Sequence, residues 1–501
     1  MILAQISESA FPSVSWLAIA PEIALAVGAA VVLLVDVQWK PKRRVLGGVV
    51  AAVLAVAVGF SIRQWFRIDE FVDLSAADEG AFVEAFIPFG RMVVLDHASV
   101  LARFVILAVT ALGVTAGWRL FERLGRRGAE ALALVLLSGT GFCFMASSIH
   151  LMMVFLGLEV GSISLYVLAG ITRERYESDE AAMKYFLLGS VASAVFVYGV
   201  ALVFAGTGAL NLVAARNFLA GNVVTRPAVL YIGIGLIVVG LAFKVSAAPF
   251  HSWAPDVYQG APAGVVGYMA AVAKIGGFAA LMRVLFTAFP ALTDELMPMV
   301  AVVAALSMVL GSVVAIVQDD IRRLLAYSGV AHAGFILTGV VAGGEAMGAV
   351  WFYLAVYAVQ LVGAFAVVAA VTGSAGSRSA LSSFSGLARR QPVLAGLFSV
   401  VLLGMGGIPL TSGFVAKFGV FQDAWRSGWE WLVIVAVLAS VVAFFLYLRV
   451  IVVMYMQDEE GTVEDASPVA RWVPAVAAVV TIVFGLIPAP LLDLAGNATP
   501  L

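Results

Sequence analysis

Long apolar runs are the feature that most limits what this chain can fold into. They recur from about residue 15 to about residue 492 and are separated by short charged or Pro/Gly-rich segments. A helix needs about 20 apolar residues to cross the roughly 30 Å hydrocarbon core of a bilayer. Lipid offers the backbone no hydrogen-bond partner, and these runs lack the strict alternation of barrel strands. They therefore predict membrane-spanning helices.

The runs predict an all-α polytopic membrane protein of about fourteen spans. The chain is 62% hydrophobic and 12% charged, whereas a soluble domain is about half apolar and a quarter charged. Its formal net charge of −2 gives no basic footprint for nucleic acid. The expected spans are residues 15–36, 45–62, 93–117, 129–147, 150–171, 183–206, 228–248, 262–284, 296–317, 324–342, 346–372, 393–421, 431–456 and 470–492.

The order of the spans predicts two inverted repeats of five helices, spans four to eight and spans nine to thirteen. An odd number of helices inverts the second set relative to the first, a plan common in transporters. Equivalent spans seven and twelve each combine an interior lysine with a proline, Lys244 with Pro249 and Lys417 with Pro409, so we expect both helices to be broken. The predicted units are residues 1–128 (three helices), 129–284 (first repeat), 296–456 (second repeat) and 470–501 (last helix).

Basic residues are unevenly distributed among the loops. Loops that follow odd-numbered spans carry most of them, including Lys40, Lys42, Arg43, Arg44, Arg119, Arg123, Arg126 and Arg127. Loops rich in Lys and Arg stay in the cytoplasm. The bias therefore predicts that both termini lie on the outer side of the membrane.

Charged side chains inside the apolar runs are the candidate functional residues. A charge at the bilayer centre costs at least about 2.5–3.5 kcal/mol on insertion scales, so it needs a partner or a function. Glu159 in span five and Lys274 in span eight are far from either span end, while Lys244 and Lys417 accompany the expected breaks. An ammonium group removed from water releases its proton more readily than in solution, so these lysines suit proton transfer.

Each of these residues also has a structural interpretation. Glu159 is either half of a structural ion pair or a proton-binding carboxylate, and the lysines either snorkel or carry protons. Lys184, near the start of span six, either snorkels to the cytoplasm or takes up protons there. His332 in span ten is either a satisfied core residue or a relay member that titrates near neutral pH. Arg103 and Arg449, nearer span ends, are interpreted as interface anchors or partner contacts.

The sequence carries no fingerprint of a bound cofactor. Its one cysteine, Cys143, and four scattered histidines lack metal-ligand or cluster spacing. We find no P-loop and no dinucleotide motif after a strand. Lysines outnumber acids at mid-membrane depth, which argues against a hard-cation site because such ions need several oxygen ligands. Titratable amines suit proton handling better.

Four segments resemble a known family. They are FKVSAAPFHSWAPDVYQGAPA at 243–263, MKYFLLGSVASAVFVYG at 183–199, RRLLAYSGVAHAGF at 322–335 and GIPLTSGFVAKF at 407–418. These segments are similar to the antiporter-like membrane subunits of NADH–quinone oxidoreductase (respiratory complex I), a group that includes subunits of multisubunit cation/proton antiporters. Within that group, PDVYQGAP and Lys417 resemble subunit N rather than subunits L and M.

The resemblance implies a proton-translocating subunit of this NADH:quinone oxidoreductase that holds no redox centre itself. Glu159 would pair with Lys244, Lys274 would link two half-channels, and Lys417 would be the outer terminal lysine. The family fold would be fourteen helices with two inverted five-helix repeats. The implied proton relay has six members, Glu159, Lys244, Lys274, Lys417, Lys184 and His332.

The same resemblance implies the surroundings of the subunit. FMN, iron–sulfur clusters, NADH and quinone (ubiquinone or menaquinone) would bind to partner subunits. The partners would be subunit M and the small membrane subunits, in the lipid bilayer of a bacterial inner (plasma) membrane. Three alternatives stay open: a subunit of a cation/proton antiporter that uses no redox energy, a small-solute transporter of unrelated family, and a structural role within the complex.

Overall fold

The computed structural model describes residues 16–75, 92–373, 379–458 and 468–498. Within these ranges the regular secondary structure is helical, and backbone pairing between distant segments is limited to isolated bridges. The N-terminal helices are α1 (Ala20–Trp39), α2 (Arg43–Ser75), α3 (His97–Ala116) and the short α4 (Trp118–Arg123).

The helices of the two predicted repeats follow in chain order. Residues 127–283 form α5 (Arg127–Ser147), α6 (Leu151–Ala169), α7 (Tyr176–Thr207), α8 (Leu212–Gly221), α9 (Pro227–Lys244), α10 (Trp253–Gly260) and α11 (Ala263–Arg283). Residues 293–456 form α12 (Thr293–Ile316), α13 (Ile321–Val341), α14 (Met347–Thr372), α15 (Leu387–Arg390), α16 (Pro392–Gly406), α17 (Ser412–Arg426) and α18 (Glu430–Met456). The last two helices are α19 (Pro468–Leu486) and α20 (Ala489–Gly496).

Twelve helices in the described ranges are long and apolar enough to cross a bilayer, and they match predicted spans one to eleven and thirteen. The all-α membrane architecture is confirmed, whereas the count of fourteen stays a prediction. Span twelve consists of α16 and α17, each of 15 residues. At 1.5 Å per residue each is about 22 Å long, less than the hydrocarbon thickness. Span fourteen consists of α19 and α20, which meet at 85°.

The helix of span seven is broken as predicted, but it ends earlier than Pro249. α9 stops at Lys244 because Ser246 adopts a left-handed conformation with φ of 60°. The amide of Ala247 then donates to the carbonyl of Ala242 at 2.8 Å. This Schellman motif satisfies carbonyl groups that the helix leaves free, so the chain turns before it reaches the proline.

The helix of span twelve is broken by the same motif. α16 ends at Gly406, and Gly407 adopts the left-handed conformation with φ of 82°. The amide of Ile408 donates to the carbonyl of Leu403 at 3.2 Å. A glycine at this position carries no Cβ penalty, which makes the turn easier to form than at a serine. The predicted interruption around Pro409 is therefore present.

The centre of the molecule is formed by α11, α13 and α14. The apolar windows of these helices are 100%, 94% and 94% buried within the chain. The corresponding windows of α2, α7 and α18 are 28%, 33% and 39% buried, so these helices form the outer surface. Lys274 on α11 and His332 on α13 therefore lie in the centre of the fold, away from lipid.

The interpretation of Arg103 as an interface anchor is wrong. Its side chain is fully buried and donates to Glu22 on α1 at 2.8 Å and to Gln64 on α2 at 3.1 Å. It therefore joins the first three helices inside the fold. Arg449 also binds within the chain, because it donates to the carbonyl of Ile316 at the end of α12 at 2.7 Å.

Candidate functional site

Glu159 lies in the middle of α6, where it is half-buried and accepts a hydrogen bond from the hydroxyl of Ser193 on α7. Glycines on either side let the neighbouring helix come close. A Cβ on Gly157 would lie 2.7 Å from the carbonyl oxygen of Gly141 on α5, and a Cβ on Gly141 would lie 2.3 Å from the amide nitrogen of Gly161. Helices α5 and α6 therefore approach each other closely around Gly157 and Gly161, and this contact fixes the turn that carries Glu159.

Lys244 is the last residue of α9 and is 2% exposed. Its ammonium group donates to the hydroxyl of Ser162 on α6 at 2.7 Å. It also lies 5.0 Å from the ring centre of Phe142 and 5.6 Å from that of Tyr185. Ser162 follows Glu159 by one helical turn on α6, so Lys244 contacts the same face of α6 that carries Glu159. Among the described ion pairs none joins Glu159 to Lys244, so the expected pair is open in this structure.

Lys274 lies at the centre of α11 and is 2% exposed. Its ammonium group donates to two backbone carbonyl groups, those of Val245 at 2.6 Å and Gly329 at 3.0 Å. Val245 directly follows Lys244 at the break of α9. Carbonyl groups at a helix C-terminus carry partial negative charge, so the break supplies the buried cation with a favourable partner.

Lys417, on α17, is 5% exposed. Its ammonium group donates to the carbonyl of Gly406 at 3.0 Å and lies 4.7 Å from the ring centre of Phe335. Gly406 precedes the left-handed residue of its break, just as Val245 does in the first break. Lys417 and Lys274 therefore bind equivalent backbone positions of the two broken helices.

His332 lies on α13 and is 2% exposed. Its Nδ1 is 2.8 Å from the hydroxyl of Tyr353, and its Nε2 is 3.1 Å from the hydroxyl of Tyr447. The ring of Tyr357 stacks on the imidazole at 4.2 Å, and the hydroxyl of Tyr447 is also 2.5 Å from that of Ser328. Sequence reasoning missed these tyrosines, because single phenol groups within apolar runs resemble ordinary core residues.

One face of α13 connects the second and third buried lysines. Gly329, His332 and Phe335 are spaced three residues apart, so they follow one side of the helix. Gly329 accepts the hydrogen bond from Lys274, and Phe335 packs against Lys417. His332 lies between these two contacts. The arrangement provides titratable and hydroxyl groups along the interval between the lysines.

Lys184 is separate from the buried residues. Its side chain is 42% exposed on α7 and pairs with Glu180 at 2.8 Å and with Asp256 of α10 at 2.8 Å. Asp256 also accepts from Arg323 of α13 at 2.6 Å. Burial by itself raises the pKa of Asp256, but the hydrogen bonds from Lys184 and Arg323 outweigh it and hold that pKa below its ordinary value.

Lys184, Glu180 and Asp256 line a cavity of about 510 Å³ between α7, α10 and α13, which also borders the buried side chain of Arg322. Asp256 lies within the PDVYQGAP segment, whose spacing alone does not indicate an ion pair. Pairing of acids and bases across three helices needs the fold, so sequence spacing could not identify this cluster.

A second buried ion pair was also missed. Arg283, which lies near the end of predicted span eight, is 2% exposed at the end of α11. Its guanidinium donates to both carboxylate oxygens of Asp96 at 2.8 and 2.9 Å. Asp96 also caps α3, so this fork joins the N-terminal helices to the first predicted repeat.

The fold and these groups define a class, the polytopic membrane proteins that bury titratable side chains beside broken helices. Comparisons with known proteins agree with this classification. Residues 148–443 match the transmembrane family described as NADH:quinone oxidoreductase/Mrp antiporter. A chain in the structure of respiratory complex I from Thermus thermophilus with bound aureothin is 32% identical, with a TM-score of 0.79 over 95% of this chain and 99% of that chain.

Similar curated proteins identify one family within this class. NADH-quinone oxidoreductase subunit N from Mycobacterium tuberculosis is 47% identical over 389 residues, which cover 76% of this chain and 73% of the relative. Subunit N 1 from Solibacter usitatus is 39% identical over 483 residues, 95% of both chains. The chain belongs to the NADH-quinone oxidoreductase subunit N family, a family of multi-pass membrane subunits. The resemblance drawn from the four sequence segments is confirmed.

Proposed function

We propose that this chain is a proton-translocating membrane subunit of a bacterial NADH–quinone oxidoreductase, which moves protons along Glu159, Lys244, Lys274 and Lys417. The observation that carries the proposal is the series of buried ammonium groups, each bound to neutral oxygen atoms. A purely structural lysine at this depth would be expected to have a carboxylate partner, because an unpaired buried charge is costly.

Opening and closing of the Glu159–Lys244 pair drives the proposed transfer. With the pair closed, carboxylate and ammonium attract each other by about 4 kcal/mol at 4 Å for an effective dielectric near 20. The proton then stays on Lys244. With the pair open, Lys244 retains the Ser162 hydroxyl and two aromatic rings, so burial favours release of its proton towards Lys274.

The onward steps use the contacts along α13. Repulsion between neighbouring ammonium groups disfavours simultaneous protonation of Lys274 and Lys417, so each proton tends to pass on. His332, with its hydrogen bonds to Tyr353 and Tyr447, serves as the intermediate group. The exposed cluster around Lys184 would take up protons on the cytoplasmic side.

The proposal extends to the surroundings of the subunit. NADH oxidation by FMN and iron–sulfur clusters and the reduction of ubiquinone or menaquinone would take place in partner subunits. This chain would adjoin subunit M and the small membrane subunits in the bacterial plasma membrane, with both termini outside. It would be one of the membrane subunits through which the H⁺-translocating enzyme couples redox energy to transport.

The test uses inverted membrane vesicles that contain the complete complex. Variants Glu159→Ala and Lys244→Ala are energised with NADH, and acidification is followed with a pH-sensitive dye. We expect more than about a tenfold loss of proton pumping, since about 1.4 kcal/mol of the pair's interaction suffices for that factor. The exposed Lys42→Ala is the matched control and should pump normally. Undiminished pumping by both variants would refute the assignment.

Cation/proton exchange is the second candidate function, because the matching family also includes Mrp antiporter subunits. The same vesicles distinguish the two functions. Exchange predicts that a sodium or potassium gradient drives proton movement without NADH. Redox-driven translocation predicts proton movement only on addition of NADH and its abolition by removal of quinone.

A further inference from the structure

A groove between α2 and α3, on the surface of the N-terminal helices, takes no part in the proposed proton path. Its volume is about 660 Å³. The floor is apolar and is formed by the buried side chains of Val50, Leu54 and Val114. The chain thus presents a long apolar slot on the side of the molecule where its helices are least covered.

Small residues create the groove. Gly47 and Ala51 are four residues apart on α2, and Ala111 and Thr115 are four residues apart on α3. Residues with this spacing lie on one face of a helix, so two short-chain faces oppose each other along the slot.

Polar and aromatic groups lie at one end. Arg44 precedes Gly47 by one turn and lines the groove. Among the described residues it makes no hydrogen bond or ion pair, unlike Arg43, which binds Asp36 at 2.9 Å. The indole of Trp118 closes the other wall, and its Nε1 donates to Glu122 at 2.9 Å. An arginine beside a tryptophan at a span end is typical of the membrane interface.

The depth of the groove argues against a partner helix as its occupant. Ten residues of α2 separate Arg44 from Leu54, which corresponds to about 15 Å at 1.5 Å per residue. That is about half of the roughly 30 Å hydrocarbon thickness. A transmembrane helix from another subunit would extend across the bilayer well beyond the groove, whereas an acyl chain occupies one leaflet and matches its depth.

Basic residues at the open end of the groove favour lipids with anionic headgroups. Lys40, Lys42 and Arg44 lie together at the junction of α1 and α2. Basic clusters at the cytoplasmic ends of membrane helices attract anionic headgroups. We propose that the groove binds an anionic phospholipid, with an acyl chain between α2 and α3 and its phosphate on the guanidinium of Arg44.

The experiment labels the intact complex in vesicles of phosphatidylglycerol and phosphatidylcholine. A photoreactive diazirine is carried on the acyl chain of either lipid, and labelled peptides are identified by mass spectrometry. Ala51→Trp fills the groove, Arg44→Gln removes the phosphate partner, and Arg126→Gln removes a charge from the same side outside the groove. NADH oxidation reports that each variant complex is assembled.

We expect phosphatidylglycerol to label residues 47–54 and 111–118 more strongly than phosphatidylcholine does. Ala51→Trp should abolish this labelling, and Arg44→Gln should lower it about fivefold, the loss expected for one basic residue at an anionic surface. Arg126→Gln should leave it unchanged. Equal labelling by both lipids, persistence in Ala51→Trp, or crosslinking of a partner subunit to the groove instead of lipid would overturn the proposal.

Discussion

Each buried lysine has neutral oxygen partners in this structure. Lys244 binds a hydroxyl, Lys274 binds two carbonyl groups and Lys417 binds one. Such partners hold an ammonium in place without the strong attraction of a carboxylate. These partners fix the position of each ammonium group without stabilising its charge as strongly as a carboxylate would. This arrangement suits side chains that must gain and lose a proton.

Ser162 offers a test of this arrangement. Ser162→Ala removes the hydroxyl that accepts from Lys244, and a hydrogen bond to a charged group contributes about 1.5–3 kcal/mol. We expect proton pumping per NADH oxidised to fall about tenfold while assembly is retained. Ser164→Ala is the matched control, because Ser164 lies on the same helix and donates only to the carbonyl of Val160 in the described structure. A similar fall in both variants would contradict a specific role.

The carboxylate of Asp256 makes stability depend on pH. Its pKa is lowered in the folded state, so its contribution is full above the ordinary carboxyl pKa of about 3.9 and is lost as the pH falls below it. Asp256→Asn should lower the thermal midpoint of the detergent-purified subunit by a few degrees at pH 7. The difference from the unmodified chain should shrink steadily as the pH falls below about 3.9 and through the lowered pKa of Asp256.

Glu180→Gln provides the comparison for Asp256. Glu180 also pairs with Lys184, but within one helix and with 45% of its side chain exposed, so screening by water leaves little net stabilisation. Thermal unfolding followed by tryptophan fluorescence should show almost no change. A pH-independent deficit in Asp256→Asn would show that lost packing, not lost charge, causes its effect.

At the scale of elements, the broken helices are the devices that place the lysines. Sequence reasoning found both breaks from a proline near a lysine, but it could not find where α9 ends. The deciding residue is Ser246, and a serine in the left-handed region carries no local signature. Gly407 could be identified, because glycine adopts this conformation freely.

Substitution of Gly407 distinguishes the effect of the second break on proton pumping from the backbone strain that a side chain adds there. Gly407→Ala places a Cβ in the left-handed region, at about 1–2 kcal/mol, and 3.0 Å from Cδ of Lys417. Gly428 has the same φ of 82°, and a Cβ there would meet no atom within 4 Å. Both alanine variants should therefore lose similar thermal stability.

Proton pumping should distinguish these two variants. We expect Gly407→Ala to pump several-fold more slowly in NADH-energised vesicles, because the added methyl group displaces Lys417 from the carbonyl of Gly406. Gly428→Ala should pump at the normal rate per assembled complex. Equal rates would show that the position of Lys417 tolerates the shift.

At the scale of the whole molecule, apolar runs predict most of the architecture and almost none of its internal polar connections. Hydrophobicity indicates that a segment is buried in lipid or protein, so the presence of each span could be predicted from the sequence. Glu22 and Arg103 are 81 residues apart, and their pairing depends on how α1 and α3 pack. The central position of α13 likewise follows from packing, so the partners of His332 could not be predicted from the sequence.

The pairing of Arg103 with Glu22 yields a prediction about how the first three helices are held together. Both side chains are fully buried, so removing one leaves a charge without its counterion, at a cost of about 3–5 kcal/mol. Arg103→Met alone should strongly lower the thermal midpoint and the amount of assembled complex. The exposed pair of Arg127 with Glu174 is the control, since Arg127→Met should cost about 1 kcal/mol or less.

The double variant determines whether the pair itself stabilises the fold. Glu22→Gln combined with Arg103→Met leaves no buried charge at this position, and replacing both members of a buried ion pair is often nearly neutral. We therefore expect it to restore most of the stability that Arg103→Met loses, as measured by the thermal midpoint of the purified complex. If the double variant is as unstable as the single one, the hydrogen bonds of Arg103 to Gln64 and to the Ala18 carbonyl contribute more than charge balance.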